Sequence, residues 1–244
     1  ARQYGVHSAM PAAEAAARCP HAIFLRPDHE KYARVAQEIR AIFYDYTDRV
    51  EPLSLDEAFL DVTGQAGGIA VASEIKRRIR QEVGLTASVG VAYNKFLAKL
   101  ASDMEKPDGF TVITRQRARQ LLPGLPVRKL WGVGPKTEAL LHALGVFTVG
   151  DLLRLDPAVL RRRLGTRAQE LVLLAQGIDH RPVEPPALPK SLGEETTFER
   201  DLTAVAALKE KAAEFCKVLI ERVQRRRLRF RTVTLKIRFD DSAR

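Results

Sequence analysis

The sequence predicts an α+β chain of more than one unit, and three observations predict it. Amphipathic helical stretches alternate with short β-branched runs over residues 1–114. Helix signals and positive charge replace strands after Arg115. The Pro-rich run from Pro182 to Pro189 then separates a last segment that reads strand, helix, strand. At 244 residues and 45% hydrophobic content, the chain can bury a core.

Met10-Pro11 through Arg18 reads as a short Ala-rich helix, stopped at Cys19-Pro20 because the residue before proline disfavours helical dihedrals. Asp28 caps a longer helix whose Tyr32, Val35, Ala36, Ile39, Ile42, Phe43 and Tyr46 recur at three- and four-residue steps. Next comes Ser54-Leu55-Asp56-Glu57-Ala58-Phe59-Leu60-Asp61-Val62, two adjacent acids followed by an apolar run. In an ideal strand Asp56 and Glu57 would point to opposite faces, so one site can use both only where a turn or bulge redirects one of them. That places them at a hairpin edge. Both offer hard oxygen ligands suited to Mg²⁺ with substrate phosphates completing the shell. The competing reading is a solvated acid pair at a strand start.

A Gly64 to Gly68 loop leads into a helix through Ile75 and Ile79, with Lys76, Arg77, Arg78 and Arg80 read as its solvated outer face. Leu85, Ala87, Val89 and Val91 alternate with Thr86, Ser88 and Gly90, which predicts a strand with one small, polar face. Asn94 caps a helix carrying Phe96, Leu97 and Leu100, and Phe110 to Thr114 closes this part as a strand. The expectation is an antiparallel sheet packed by two long helices.

The second unit centres on Leu130-Trp131-Gly132-Val133-Gly134-Pro135-Lys136-Thr137. Two glycines before a proline at a helix start leave backbone N–H groups free for a phosphate oxygen, and Lys136 adds charge. This reads as a helix-hairpin-helix grip on a DNA backbone centred on Gly132, Gly134 and Lys136, although Gly-x-Gly turns also occur in non-binding loops. Leu160 to Gly165 offers a second, weaker hairpin or an exposed arginine surface. In the last segment Ser191 to Arg200 reads as a strand and a helix spans about Thr203 to Arg227. Thr232, Thr234, Lys236 and Arg238 then alternate with Val233, Leu235, Ile237 and Phe239, predicting a strand with a basic row.

Charge is uneven along the chain. Residues 1–114 carry 14 Lys and Arg against 15 Asp and Glu, residues 115–190 carry 13 against 6, and residues 191–244 carry 13 against 9. A near-neutral body holding the acids, joined to basic segments, suits a polyanion partner. Cys19 and Cys216 are too few and too far apart for a disulfide framework, which points to a reducing compartment. No apolar run approaches membrane-spanning length and the start has no signal-peptide pattern. Opening on Ala1 rather than Met, the chain reads as cut from a longer protein.

Several motifs occur in order: Ala1-Arg2-Gln3-Tyr4-Gly5-Val6-His7-Ser8-Ala9-Met10-Pro11, Ser54 to Asp61, Ser88-Val89-Gly90-Val91-Ala92-Tyr93-Asn94-Lys95-Phe96-Leu97-Ala98-Lys99, Asp103-Met104-Glu105-Lys106-Pro107-Asp108-Gly109, Gly132-Val133-Gly134, and Lys190-Ser191-Leu192-Gly193-Glu194-Glu195. Together they resemble the Y-family translesion DNA polymerases, in particular the bacterial DNA polymerase IV branch. The resemblance implies truncated fingers at 1–27, a palm at 28–113, a thumb with helix-hairpin-helix at 114–183, a Pro-rich linker at 184–190 and the first part of a little finger at 191–244. It implies that Asp56 and Glu57 are catalytic ligands of two Mg²⁺ ions, that Arg2 and Lys106 hold the nucleotide triphosphate, and that Lys236 and Arg238 join the hairpin in binding DNA. Lys106 could instead simply begin a turn, and Arg2 could be a frayed end.

The implied activity is low-fidelity, template-directed DNA synthesis in translesion repair, by a cytoplasmic monomer acting on primed template and deoxynucleoside triphosphates. The family's first strand, with another metal-binding aspartate and a steric gate, would precede Ala1, and its sliding-clamp peptide would follow Arg244. The 244-residue chain alone is therefore expected to be inactive. Two other classes compete: a non-catalytic DNA-binding module, and a palm-like nucleotidyl cyclase, which leaves the hairpin and basic row unexplained.

Overall fold

Asp28 accepts a hydrogen bond from the Lys31 backbone N–H at 2.9 Å and starts helix α2 (His29–Tyr44), as its position predicts. In the computed structural model, which describes residues 1–65, 67–198 and 200–239, α2 follows a single 3₁₀ turn (Arg2–Tyr4) and α1 (Ala12–Arg18). Ile42 of α2 is buried with Ile75 of α3 (Gly68–Arg78) and Ile79 of the π-helical turn that extends α3. The basic face of α3 differs from expectation. Lys76 donates to Ala87 and Asp108, and Arg78 pairs with Asp45 and Glu82, so these two cations tie the helix to its neighbours instead of facing solvent alone.

Strands β1 (Val50–Pro52) and β2 (Ala58–Leu60) pair antiparallel with Glu51 opposite Phe59, and the acid pair lies in the turn between them. Leu53 and Ser54 N–H both donate to the Glu57 carbonyl, at 2.9 and 3.3 Å, closing that turn. The other pair corrects the expected antiparallel sheet. β3 (Val89–Ala92) runs parallel to β4 (Phe110–Ile113), and among the described residues the two pairs form separate sheets. The reason is the connection: α4 (Lys95–Met104) crosses between β3 and β4, and a helical crossover returns the chain parallel. Gly90 lets α4 lie that close, since a Cβ there would come within 2.1 Å of the Ala98 carbonyl oxygen. The small face read from Thr86, Ser88 and Gly90 is thus the seat of a helix, though the strand itself begins only at Val89.

Thr114, Thr148 and Asp156 cap α5 (Arg115–Leu121), α7 (Val149–Arg154) and α8 (Pro157–Leu164) through their side chains. With α6 (Pro135–Ala143) and α9 (Arg167–Ala175) these helices enclose one apolar core. Phe96, Leu97 and Leu100 of α4 belong to the same core as Leu122, Leu141, Leu152, Leu160 and Leu171, so α4 serves both parts of the unit Ala1–Pro186.

The second unit, Ala187–Arg244, contains α10 (Val205–Arg225), two residues shorter at each end than its pattern predicts. Arg222 pairs with Glu194 at 2.8 Å. The strands expected at 191–200 and 232–239 do not form among the described residues. Val233 and Leu235 stay 74% and 67% exposed. An alternating run becomes a strand only with a partner ladder and an apolar surface to cover, and the local pattern supplies neither. Lys236 and Arg238 consequently form no strand face.

Candidate active site and nucleic-acid hairpin

The acid pair occupies a tight turn because Ser54 organises it. Ser54 Oγ donates to Asp56 Oδ1 at 2.6 Å and accepts from the Asp56 N–H at 3.3 Å. This redirection leaves Asp56 exposed and turns Glu57 toward α4, where Lys99 donates to it. Lys99 also lies 3.7 Å from Asp103, one helical turn on, and Asp103 pairs with Lys106 at 2.6 Å. Asp103 beside it, with Glu57 and Asp56 further off, holds the Lys106 ammonium above the ordinary lysine value. Asp56, Glu57 and Lys106 are therefore neighbours. Arg2 stands apart: it is exposed in its 3₁₀ turn and forms no ion pair with either acid among the described residues.

The donor set fits a divalent ion in kind, since Asp56 and Glu57 present hard carboxylate oxygens at an accessible turn. It does not make an all-protein cage. Among the described residues no group of three or more acid, histidine or cysteine side chains could hold a metal. A shell built here needs oxygens from a substrate, as Mg²⁺ sites at phosphates do.

Behind the acids runs a second, more buried array. Lys95 donates to Glu51 Oε1 and Oε2 at 2.8 and 2.6 Å and to the Pro182 carbonyl at 3.0 Å. Asp179 accepts from the Arg181 side chain at 2.7 and 2.8 Å and from the Phe96 N–H at 3.0 Å, capping α4 from outside. Burial alone would raise the Asp179 carboxyl, but these hydrogen bonds and the Arg181 charge hold it below the usual carboxylate range. Trp131 closes the array, its ring 5.6 Å from Phe59 and 4.6 Å from the Arg181 guanidinium carbon. Trp131 directly precedes the glycine hairpin and Phe59 lies two residues after Glu57, so one aromatic contact links the two predicted sites.

At that hairpin Gly132 adopts a φ of 84°, and its carbonyl accepts from Arg167 at 2.7 Å. Gly134 is the N-cap of α6, has no side-chain cap and faces open space where a Cβ would stand. The first N–H groups of α6 are accordingly accessible, with Lys136 exposed beside them. A cleft of about 380 Å³ lies against this region, lined by Lys99 and Asp103 on one side and Arg128, Lys129, Trp131 and Gly132 on the other. A cleft of about 430 Å³ lined by Tyr44, Arg49, Asp61 and Gln65 includes none of the predicted site residues.

Lys99 and Asp103 lie inside the ordered motifs, but no role is assigned to either from the sequence. Their signal is present: Lys95, Lys99, Asp103 and Lys106 fall at helical steps of four, four and three, one charged stripe of three lysines and an aspartate. Glu51 and the Phe59–Trp131 contact carry no comparable signal because their partners lie far along the chain, and Asp179 and Arg181, although paired two residues apart, meet α4 and Trp131 only through the fold.

Comparison with known proteins places these features. Residues 1–103 match the impB/mucB/samB family, residues 115–146 the IMS family HHH motif and residues 189–244 the impB/mucB/samB family C-terminal domain. DNA polymerase IV of Alkalilimnicola ehrlichii is 48% identical over 99% of this chain and 69% of its own length. DNA polymerase IV of Clostridioides difficile is 47% identical over 99% of this chain and 67% of its own. Among solved structures, DinB from Sulfolobus solfataricus superposes with a TM-score of 0.70 at 33% identity, over 75% of this chain and 55% of that one. An insertion ternary complex of Dbh DNA polymerase gives 0.71 at 33%, again over 75% and 55%. With acid turn, basic stripe and glycine hairpin in one unit, and with these matches along nearly its whole length, the chain belongs to the impB/mucB/samB family of Y-family DNA polymerases, in its DNA polymerase IV branch.

Proposed function

We propose that this chain is the nucleotidyl-transfer and DNA-gripping portion of a low-fidelity, template-directed DNA polymerase that acts in translesion synthesis. In this reading residues 1–27 are fingers, 28–113 palm, 114–183 thumb, 184–190 linker and 191–244 the first part of a little finger. The carrying observation is the cluster at the acid turn: Asp56 and Glu57 stand beside Lys99, Asp103 and Lys106, in the same unit as the uncapped α6 hairpin.

Each residue then has a physical task. Asp56 and Glu57 supply carboxylate oxygens for the divalent metal, Mg²⁺ as a pair of ions, which when bound stabilises negative charge at the reacting phosphate. Lys106 presents an ammonium, kept charged by Asp103, to the triphosphate end of the nucleotide, where charge accumulates as the bond to the leaving group breaks. Arg2 adds a second cation there. Gly132, Gly134 and Lys136 hold duplex backbone through N–H groups and charge without reading sequence, and Lys236 and Arg238 add backbone contacts from the C-terminal unit. Primed DNA and deoxynucleoside triphosphates are the substrates, the whole protein works as a cytoplasmic monomer, and a sliding clamp recruits it. No described helix is long and apolar enough to cross a membrane.

Primer extension by the full-length protein carrying Asp56→Ala and Glu57→Ala tests this. Extension should be lost while primed DNA still binds, and unchanged extension would remove the assignment. The binding-only reading draws on the open, uncapped α6 terminus and predicts salt-sensitive DNA binding with no Mg²⁺-dependent nucleotide binding. Titrating nucleotide and Mg²⁺ onto the DNA complex separates the two.

A further inference from the structure

Among the described residues, Lys99 is the one cation paired with either member of the acid pair. Its ammonium donates to Glu57, lies 3.7 Å from Asp103 on the next turn of α4, and so spans two carboxylates of unequal distance. Asp103 is itself held by Lys106 at 2.6 Å. None of these groups is deeply buried: the side chains of Glu57, Lys99 and Asp103 are 37%, 28% and 39% exposed. An ammonium on a four-carbon stem can therefore swing between Glu57 and Asp103 without moving the backbone.

We infer that Lys99 is the resident counter-cation of Glu57, that it competes with a divalent metal for the acid pair, and that it passes to Asp103 when a metal arrives. Adjacent carboxylates repel one another, and in a metal-free site Lys99 offsets that repulsion at the Glu57 end. A metal entering the turn must displace an ammonium from a carboxylate oxygen, and it also meets the positive charge left nearby. Both effects weaken metal binding, and Asp103 moderates them by accepting the displaced lysine. Lys99 in this role is a positioning residue, one that holds the Glu57 carboxylate toward α4 until a metal draws it away. The inference rests on the assignment of Asp56 and Glu57 as metal ligands.

The test is Mn²⁺ binding to the chain in the absence of nucleotide, followed by the paramagnetic resonance of the free ion. Neutral Lys99→Met and Lys99→Gln should each half-saturate at roughly two- to five-fold lower Mn²⁺, the range an exposed charge pair supports. Lys99→Arg, which keeps the charge, should stay close to wild type. A residue that merely supports the fold would give weaker binding on replacement, so tighter binding is the distinguishing sign. Equal or weaker binding in both neutral variants, with their melting transitions intact, would overturn the inference. Mn²⁺ uptake that Glu57→Gln leaves unchanged would overturn the ligand assignment itself, and the inference with it.

Discussion

Two charged arrays sit on either side of the same hairpin, built from the same kinds of residue and set apart by burial. At the seam behind it, Lys95 is 10% exposed, Glu51 21% and Asp179 2%, and each carboxylate has a fixed partner, although the Arg181 guanidinium itself is 38% exposed. At the turn in front, Lys99, Glu57, Asp103 and Lys106 are 28% to 50% exposed and share partners. A buried ion pair is costly to break because its survivor is left desolvated and alone, whereas an exposed pair exchanges partners with little change in free energy. The seam is thus suited to fixing geometry and the turn to receiving a substrate charge.

The sharpest way to break this contrast is Asp179→Ala. It leaves the Phe96 N–H without its acceptor and removes the partner of a partly exposed Arg181, and urea unfolding should register a loss of about 2–3 kcal/mol. A loss below about 1 kcal/mol would mean the seam is as tolerant as the turn. Glu57→Gln gives the opposite profile. Unfolding free energy should change by no more than about 1 kcal/mol, while extension by the full-length protein falls roughly 10²–10³-fold, both read on one preparation.

Acid titration sharpens the same division. Asp179 and Glu51 are both held below the usual carboxylate range despite burial, so their contribution is complete above the unfolded value of about 4 and is lost as pH falls through the lower folded values. The melting-temperature gap between wild type and Asp179→Asn should therefore be constant from neutral pH down to about pH 4 and narrow below it. A gap that widens on acidification would contradict the depressed value. The smallest effect comes from a group in neither array. Thr111 is buried at 2% exposure and its hydroxyl has no partner among the described residues, so Thr111→Val should raise stability by about 1 kcal/mol in the same denaturation assay.

Local physics was legible in the sequence wherever one or two turns of chain decide it. Asp28 and Asn94 cap the helices they precede, and the redirection that adjacent acids demand is the Ser54–Asp56 turn. Gly132 and Gly134 occupy the open turn their spacing called for. What failed depended on partners at a distance. The alternation at 232–239 is a strand pattern, yet a pattern does not supply a neighbouring ladder. Parallel pairing of β3 and β4 follows from the helix between them, and the direction of a strand is set by that crossover, not by the strand's own alternation. Lys99 reaches Glu57 across 42 residues and Asn94 reaches the Gly177 carbonyl across 83, separations that no local period encodes.

Trp131 is the single tryptophan of the chain, and it lies between Phe59 and Arg181 at the junction of the acid hairpin with the glycine hairpin. The molecule consequently carries its own optical gauge. Indole emission from the unlabelled protein arises at one known place, beside an aromatic ring and a cation whose distances set its colour and intensity. Adding duplex DNA, metal or nucleotide in turn and watching that one emission reports whether the spacing between the DNA grip and the acids is held or changed at each step.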